Sequence, residues 1–474
     1  MTERLFKLKE AGTTVRVELL GGLTTFLTMA YIIFVNAGIL STDFAGNPTG
    51  LSFEAAMLAT CLASAVATIL MGLLANYPIA QAPGMGENFF FVTVVMALSA
   101  SGVTDAWRVA LGIVFISGVI FLLLSLFPFR KAIIEAVSPS LKNGIAVGIG
   151  LLIAYLGLYM SNTGVIIIQN NIPKLNPNIF NFREPDLIIF FLGLFVTAAL
   201  HARKVKGSIL IGIIFTAVVS LIWGKTKFEG VFGLPKDHAF LKMDVARTCS
   251  MVQSEFMGMV DHFTESVFGI SIVKNIHVAT NCISFIIVFI FMDLFDTMGT
   301  LIGVGEQGGF MKDNKLPRSS KALVSDAAGT VVGSMTGTST VTSFIESCVG
   351  VEYGARTGLA NLVTGILFLL ALFLTPIASM IGSYPPITAP ALVIVGAMMV
   401  NNVRKIEWSD YSEAIPAFLA IIGIPLTLTI HNGIALGFMA YPVVKLLSGK
   451  GREVHWLMYV IGLILIVRYV FVRV

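Results

Sequence analysis

Fifteen apolar runs, parted by short polar loops, fill most of this chain. They lie near 19–40, 52–75, 78–98, 107–127, 138–160, 186–200, 207–223, 282–304, 322–334, 338–351, 357–374, 386–400, 414–430, 432–447 and 455–472. A helix rises 1.5 Å per residue and must cover about 30 Å of hydrocarbon, so most of these runs suffice as spans. The exceptions are 322–334 and 338–351, which cover roughly 20 Å each and together predict one crossing. The pattern predicts an all-α polytopic membrane protein of about fourteen spans, arranged as seven plus seven.

Two stretches break the apolar pattern. One is Pro78-Ile-Ala-Gln-Ala-Pro-Gly-Met-Gly-Glu-Asn-Phe-Phe90; the other runs from Gly333 through Gly337-Thr-Ser-Thr-Val-Thr-Ser-Phe-Ile-Glu-Ser347. Lipid offers backbone groups no partners, so irregular chain at membrane depth persists only where protein covers it or a cavity wets it. A matched pair of Gly/Pro-broken segments in the two halves of a chain points to the binding site of a small-molecule carrier. A small-residue helix leads into each break, at 55–74 and at 322–334. Spans one to four and eight to eleven hold nearly all the intramembrane polar residues, whereas the others are Leu, Ile, Val, Phe and Gly. That split predicts a polar, substrate-holding half and an apolar scaffold half.

Composition agrees. The 474 residues are 56% hydrophobic and 12% charged, with mean hydropathy +0.88, whereas soluble domains carry about 25% charged residues. Cys61, Cys249, Cys282 and Cys348 have no ligand or disulfide spacing. The net charge of +4 sits in loops and implies no nucleic-acid partner. Arg4, Lys7, Lys9, Arg16, Arg130, Lys131, Lys142, Arg203, Lys204, Lys206, Lys312, Lys315, Arg318 and Lys321 fall on one side of the predicted topology. The positive-inside rule makes that side and the N-terminus cytoplasmic, and an even span count brings the C-terminus there too. Trp107, Trp223 and Trp456 mark span ends. The first apolar run is too long for a cleavable leader. The stretch 225–281 reads as an amphipathic interfacial helix or a structured loop; His238, His262 and His277 match no metal-ligand spacing.

The chemistry is concentrated in a few acids. Asp293 and Asp296 lie three apart on one helical face. An ionised carboxylate at mid-membrane costs about 2.5–3.5 kcal/mol on insertion scales, so two on one face imply use. Either could instead brace a neighbouring broken helix, Asp293 more readily than Asp296. Glu346 follows Thr338, Ser339, Thr340, Thr342 and Ser343. A half-helix starting there would present free N–H groups and its positive dipole end, with Glu346 about one turn inside. That carboxylate could accept ring N–H donors of a heterocycle, or hold a proton or cation; a salt bridge within the bundle is the plainer reading. Glu87-Asn88-Phe89 mirrors it, with an amide that donates and accepts beside a ring able to stack. Asp326 is placed to brace the broken segment that follows it. An Asp-x-x-Asp metal enzyme is the rival class, but it needs a second acidic motif, and none is present.

At these residues the chain resembles the nucleobase:cation symporter-2 family, within it the adenine/guanine/hypoxanthine permease (AzgA-like) branch. The resemblance spans nearly the whole chain. It is strongest over Gly22-Leu-Thr-Thr-Phe-Leu-Thr-Met-Ala-Tyr-Ile-Ile-Phe-Val-Asn36, over Ala82-Pro-Gly-Met-Gly86 with Asn88, from Asp293 to Gly299, and over Gly337-Thr-Ser-Thr-Val-Thr-Ser343 through Glu346-Ser347; the Gly354-Ala-Arg-Thr-Gly358 turn also fits.

The resemblance implies two inverted repeats of seven spans, core and gate domains, and a short strand with a half-helix at spans three and ten. Expected boundaries are 1–18 for the N-terminus, 19–127 and 282–375 for the core, 128–224 and 376–474 for the gate, and 225–281 for the intervening loop. The implied activity is import of purine nucleobases in symport with protons by alternating access, with sodium as the alternative ion and a gate able to form a homodimer in the cell membrane. A uracil/xanthine-type base or an inorganic anion is the alternative cargo. The expected substrate set is Glu346, Asp296, Asn88, Phe89, Thr25, Ser347 and Ile345. Proton coupling is expected at Glu346, Asp296 and Glu87, with Asp293, Asp326 and Thr340 in support; no cofactor or metal is expected. Glu87, Phe89 and Ala37 depart from the branch pattern.

Overall fold

The computed structural model describes residues 2–44, 46–126, 137–159, 165–169, 172–176, 184–228, 230–268, 282–311, 316–428 and 430–471. Backbone groups without water must be satisfied within their own segment, so the apolar runs become helices. Helix α1 (Thr2–Phe6) precedes α2 (Val15–Met29), which starts where the Thr14 hydroxyl accepts the Val17 N–H at 3.4 Å. A break at Ala30 separates α2 from α3 (Tyr31–Ser41) within one span. Helix α4 (Phe53–Leu70) is capped by Ser52 and extended by a π turn over Met71–Ala75. Then come β1 (Gln81–Pro83), α5 (Met85–Ala100) and α6 (Ala106–Leu126). Helix α7 (Pro139–Tyr159), a hairpin of β2 (Ile166–Gln169) and β3 (Ile172–Leu175), α8 (Pro185–Ala202) and α9 (Ser208–Ile222) complete the first half.

After α10 (Val245–Phe268), the second half repeats the order: α11 (Cys282–Gln307), α12 (Ser319–Thr336), β4 (Val341–Ser343), α13 (Ser347–Glu352) and α14 (Leu359–Ala371). It ends with α15 (Thr375–Gly382), α16 (Pro385–Val400), α17 (Tyr411–Thr427), α18 (Ile430–Leu447) and α19 (Trp456–Phe471). By length and composition, eight helical stretches among the described residues are long and apolar enough to cross a membrane, and five shorter apolar helices accompany them. The two halves are inverted repeats, and their helices sort into a core domain and a gate domain.

One expectation fails. The runs at 322–334 and 338–351 are not fused: α12 is a complete helix that ends at Gly337, whose φ of +111° turns the chain back into β4. That left-handed turn favours glycine. Among the described residues the two runs are therefore separate elements, α12 and the β4–α13 pair.

In the core, α12 packs on α4 and α6, and α14 on α2 and α4. In the gate, α7 packs on α16 and α17, and α8 on α9 and α16. Small residues let these backbones approach. A Cβ added at Gly148 would lie 2.8 Å from the Ala420 carbonyl oxygen, and one at Gly396 2.5 Å from that of Gly150.

Residues 233–248 form a strap over the ends of the core helices. Ser52 Oγ donates to Asp237 Oδ2 at 2.5 Å, Lys236 N–H to Glu54 Oε2 at 2.8 Å, and Leu241 N–H to the Met335 carbonyl at 2.8 Å. Arg108 Nε donates to the Lys242 carbonyl at 2.8 Å. The bond from Ser52 holds the Asp237 carboxyl below the usual carboxylate range. Helix α10 lies within this stretch; His277 lies outside the described residues.

Candidate functional site

The two broken stretches meet at one point. Strands β1 and β4 pair antiparallel, with Gln81 opposite Ser343, Ala82 opposite Thr342 and Pro83 opposite Val341. Gly84 N–H donates to the Thr340 carbonyl at 3.1 Å, and Phe344 N–H to the Ala80 carbonyl at 2.9 Å. Pro83 has no N–H to give, which limits the ladder. Each strand turns directly into a half-helix, α5 or α13, so two sets of unsatisfied N–H groups and two positive dipole ends flank one small sheet.

Side chains replace the water this sheet lacks. Thr68 Oγ1 accepts the Gln81 N–H and donates to the Gln81 carbonyl, both at 2.9 Å. Asn361 Nδ2 donates to the carbonyls of Ile79 at 2.8 Å and Thr68 at 3.2 Å. Ser347 Oγ accepts the Ala80 N–H at 3.0 Å and so stitches the second half-helix to the first strand. These irregular backbone groups are met by buried hydroxyls and an amide, as an apolar surrounding requires.

The acids divide into two groups by access. Glu346 is half-buried and Asp296 exposed, beside the exposed Ile345. Glu346 Oε1 accepts from Tyr31 OH at 2.8 Å, and Asp296 Oδ2 from Thr342 Oγ1 at 3.2 Å. These two carboxylates are close enough to interact electrostatically. An accessible strip on α11 continues from Asp296 through Gly299 and Ile302 to Glu306, toward the loop at 353–357. That loop adjoins the start of the chain: Thr13 Oγ1 donates to the Gly354 carbonyl at 3.3 Å, and Arg356 N–H to Glu18 Oε1 at 2.8 Å.

Asp293, Asp326 and Glu87 are buried. Asp293 Oδ2 accepts from Thr330 Oγ1 at 2.8 Å. Asp326 Oδ1 accepts from Gln81 Nε2 and from Thr297 Oγ1, both at 2.7 Å. Thr330 Oγ1 in turn accepts the Val341 N–H at 3.0 Å, and Thr297 Oγ1 the Ser343 N–H at 3.1 Å. Glu87 bends back over the start of α5: a Cβ added at Gly84 would lie 2.1 Å from its Oε2.

Of the remaining expected residues, Asn88 is buried and its Oδ1 accepts from Ser339 Oγ; its Nδ2 has no partner. Phe89 is buried, packs against Phe44 with ring centroids 6.2 Å apart, and lines a small void with Leu156 and Tyr159. Thr25 lies against Gly350 of α13, where an added Cβ would sit 2.2 Å from its Oγ1. Thr340 is buried with an unpartnered hydroxyl. Glu346 is not one turn inside the half-helix; it is the residue at its cap, because Phe344 still pairs with Ala80 and delays the first turn. Among the described residues no Lys or Arg bonds to it; its partner is Tyr31.

Reading the sequence missed Tyr31, Gln81, Thr297 and Thr330. Gln81 could have been found as the amide within the first break. Tyr31 carries no such signal, since it lies 315 residues from its partner and only the break at Ala30 sets it apart. Among the described residues, no group of three or more His, Cys, Asp or Glu side chains is placed to hold a metal. A cavity of about 390 Å³ lies elsewhere, between α3 and the start of α16, and includes Asp43, Phe44 and Thr388.

A family profile described as "Permease family" matches residues 16–436. The chain is 44% identical to a putative permease, MJ0326, of Methanocaldococcus jannaschii over 99% of this chain and 98% of that one. It is 41% identical to the guanine/hypoxanthine permease PbuG of Bacillus subtilis, over 99% of each. With the adenine permease AdeP of Escherichia coli it shares 37% identity, over 100% of this chain and 96% of the relative. In fold it is similar to the transmembrane domain of a cyanobacterial bicarbonate transporter, BicA, with a TM-score of 0.63 at 14% identity, covering 89% of this chain and 96% of that one.

Proposed function

The chain belongs to the permease family, and we propose on that premise that it is a secondary active transporter importing purine nucleobases, with guanine, hypoxanthine and adenine as the candidate cargo. The relatives just named support the substrate class, two of them carrying those bases in their names. A transporter, and not an enzyme, is what the family and the fold indicate. The observation that carries the site is the pairing of two accessible carboxylates, Glu346 and Asp296, at the end of a hydrogen-bonded strand crossing. A purine presents ring N–H donors on its edges and an apolar face. Two acceptors and a half-helix N-terminus suit such an edge, whereas an inorganic anion would meet repulsion from both acids.

The coupling ion in this reading is the proton. Moving one charge through 100 mV is worth about 2.3 kcal/mol, enough to drive accumulation of a neutral base. The core, near 19–127 and 282–375, slides against the gate, near 128–224 and 376–474. The accessible strip on α11 opens toward the face that holds the N-terminus, which the basic loops make cytoplasmic. Uptake of radiolabelled guanine, hypoxanthine, adenine and uracil into proteoliposomes, with and without an inward proton gradient, tests the proposal. Gradient-driven accumulation of a purine is expected; no flux of any base would overturn it.

A further inference from the structure

The geometry points to a proton-binding site distinct from the substrate carboxylates: the buried Asp293–Asp326 pair holds one shared proton that is the coupling proton of the transport cycle. This rests on the reading of the chain as a proton-coupled base transporter.

The two side chains come from different helices, α11 and α12, and are 1% and 0% exposed. Each uses one oxygen to accept from hydroxyl or amide donors, as described above. The other two oxygens, Asp293 Oδ1 and Asp326 Oδ2, have no donor. Each carboxyl is bonded by a hydroxyl of the other's helix, Asp293 by Thr330 of α12 and Asp326 by Thr297 of α11, which brings the two acids side by side. An ionised carboxylate only accepts, so two of them facing one another without a donor leave both oxygens unsatisfied. One proton between them supplies the missing donor and removes one of two like charges.

Titratable neighbours are Asp296 on α11 and Glu87 on α5, both acids. Lys142 of α7 faces the Phe295 ring at 5.1 Å, and His431 of α18 packs on Phe285 with ring centroids 5.2 Å apart. Asp296, one turn farther along α11, is exposed.

The pair is also wired to the strand crossing. Asp293 holds Thr330, which holds the Val341 N–H; Asp326 holds Thr297, which holds the Ser343 N–H, and also holds the Gln81 amide. All three tethered residues lie on β1 or β4. Loss of the proton sets two negative charges side by side beneath both strands and shifts the platform on which Glu346 sits. A substrate site that reads the proton load without touching the proton follows directly.

The test uses the full-length protein in proteoliposomes. Asp293→Asn and Asp326→Asn each place an amide N–H where the shared proton would be and keep an oxygen for the existing donors. Each is expected to retain base-for-base exchange while gradient-driven accumulation falls from about 50-fold to about 1-fold at 100 mV. In the wild type, infrared difference spectra on alkalinisation should show a protonated-carboxyl C=O band that either variant removes. Unaltered gradient-driven accumulation in both variants would overturn the proposal, as would exchange and accumulation falling together with the wild-type band still present. Accumulation that follows a sodium gradient alone would overturn it too. Absence of any base flux in the wild type would instead sink the underlying assignment, and is distinguishable because it needs no variant.

Discussion

The two half-helices share a design and differ in what they expose. Helix α5 continues for 16 residues, and its acid, Glu87, is buried and folded back over Gly84. Helix α13 stops after 6 residues, and its acid, Glu346, stands at the cap beside the exposed Ile345. In both, a carboxylate lies near the positive end of a helix, which favours the charge. Only the second can offer that carboxylate to a ligand. Inverted repeats therefore divide labour: one crossing is sealed and supports, the other presents.

Glu346→Gln should have the largest effect. Gradient-driven accumulation of purine should disappear with protein abundance unchanged, whereas Glu87→Gln should keep transport within about threefold, less than 1 kcal/mol. Equal losses in the two variants, read as uptake per reconstituted protein, would erase the distinction between the crossings.

Tyr31→Phe sharpens the same comparison. It removes the one described donor to Glu346, a charge-assisted bond worth about 1.5–3 kcal/mol, so purine affinity should weaken about tenfold or more. Equilibrium binding at fixed pH is the measurement. Ser347→Ala probes the seam between the crossings. It leaves the Ala80 N–H without an acceptor, at about 1–3 kcal/mol. The loss should appear in thermal stability in detergent, with affinity nearly intact; a substrate contact at Ser347 would give the reverse.

The smallest effect belongs far from the site. The Lys450 ammonium, at 2.7 Å, and the Ser412 groups hold the Asp410 carboxyl well below the usual carboxylate range at the start of α17. A depressed folded pKa means stability that is complete above the unfolded value, about 3.9, and is lost as pH falls through the folded one. Asp410→Asn should blunt acid sensitivity of the melting temperature without changing transport at neutral pH.

The fold was largely legible because the membrane leaves few choices: long apolar runs must be helices, and breaks must be covered. The breaks at Pro78–Phe90 and Gly333–Ser347 marked the candidate site for the same reason. Two things stayed hidden. The length rule joined 322–334 to 338–351 because a short apolar run looks incomplete, and only the left-handed turn at Gly337 separates them. Position along the sequence also said nothing about access: Asp293 and Asp296 share a helical face by spacing, yet one is sealed beneath Thr330 and the other meets solvent. Exposure is set by what packs across the helix, and that is a tertiary fact.

The strap at 233–248 has a practical use. It is clipped to the ends of α4, α6 and α12, all in the core, so in the proposed sliding motion it travels as cargo of that domain. Lys236, exposed on the strap, is thus a natural flag on the moving body. A fluorophore there, paired with one on the exposed gate residue Phe195, would turn each transport cycle into an optical displacement, recorded from a surface that never touches the substrate.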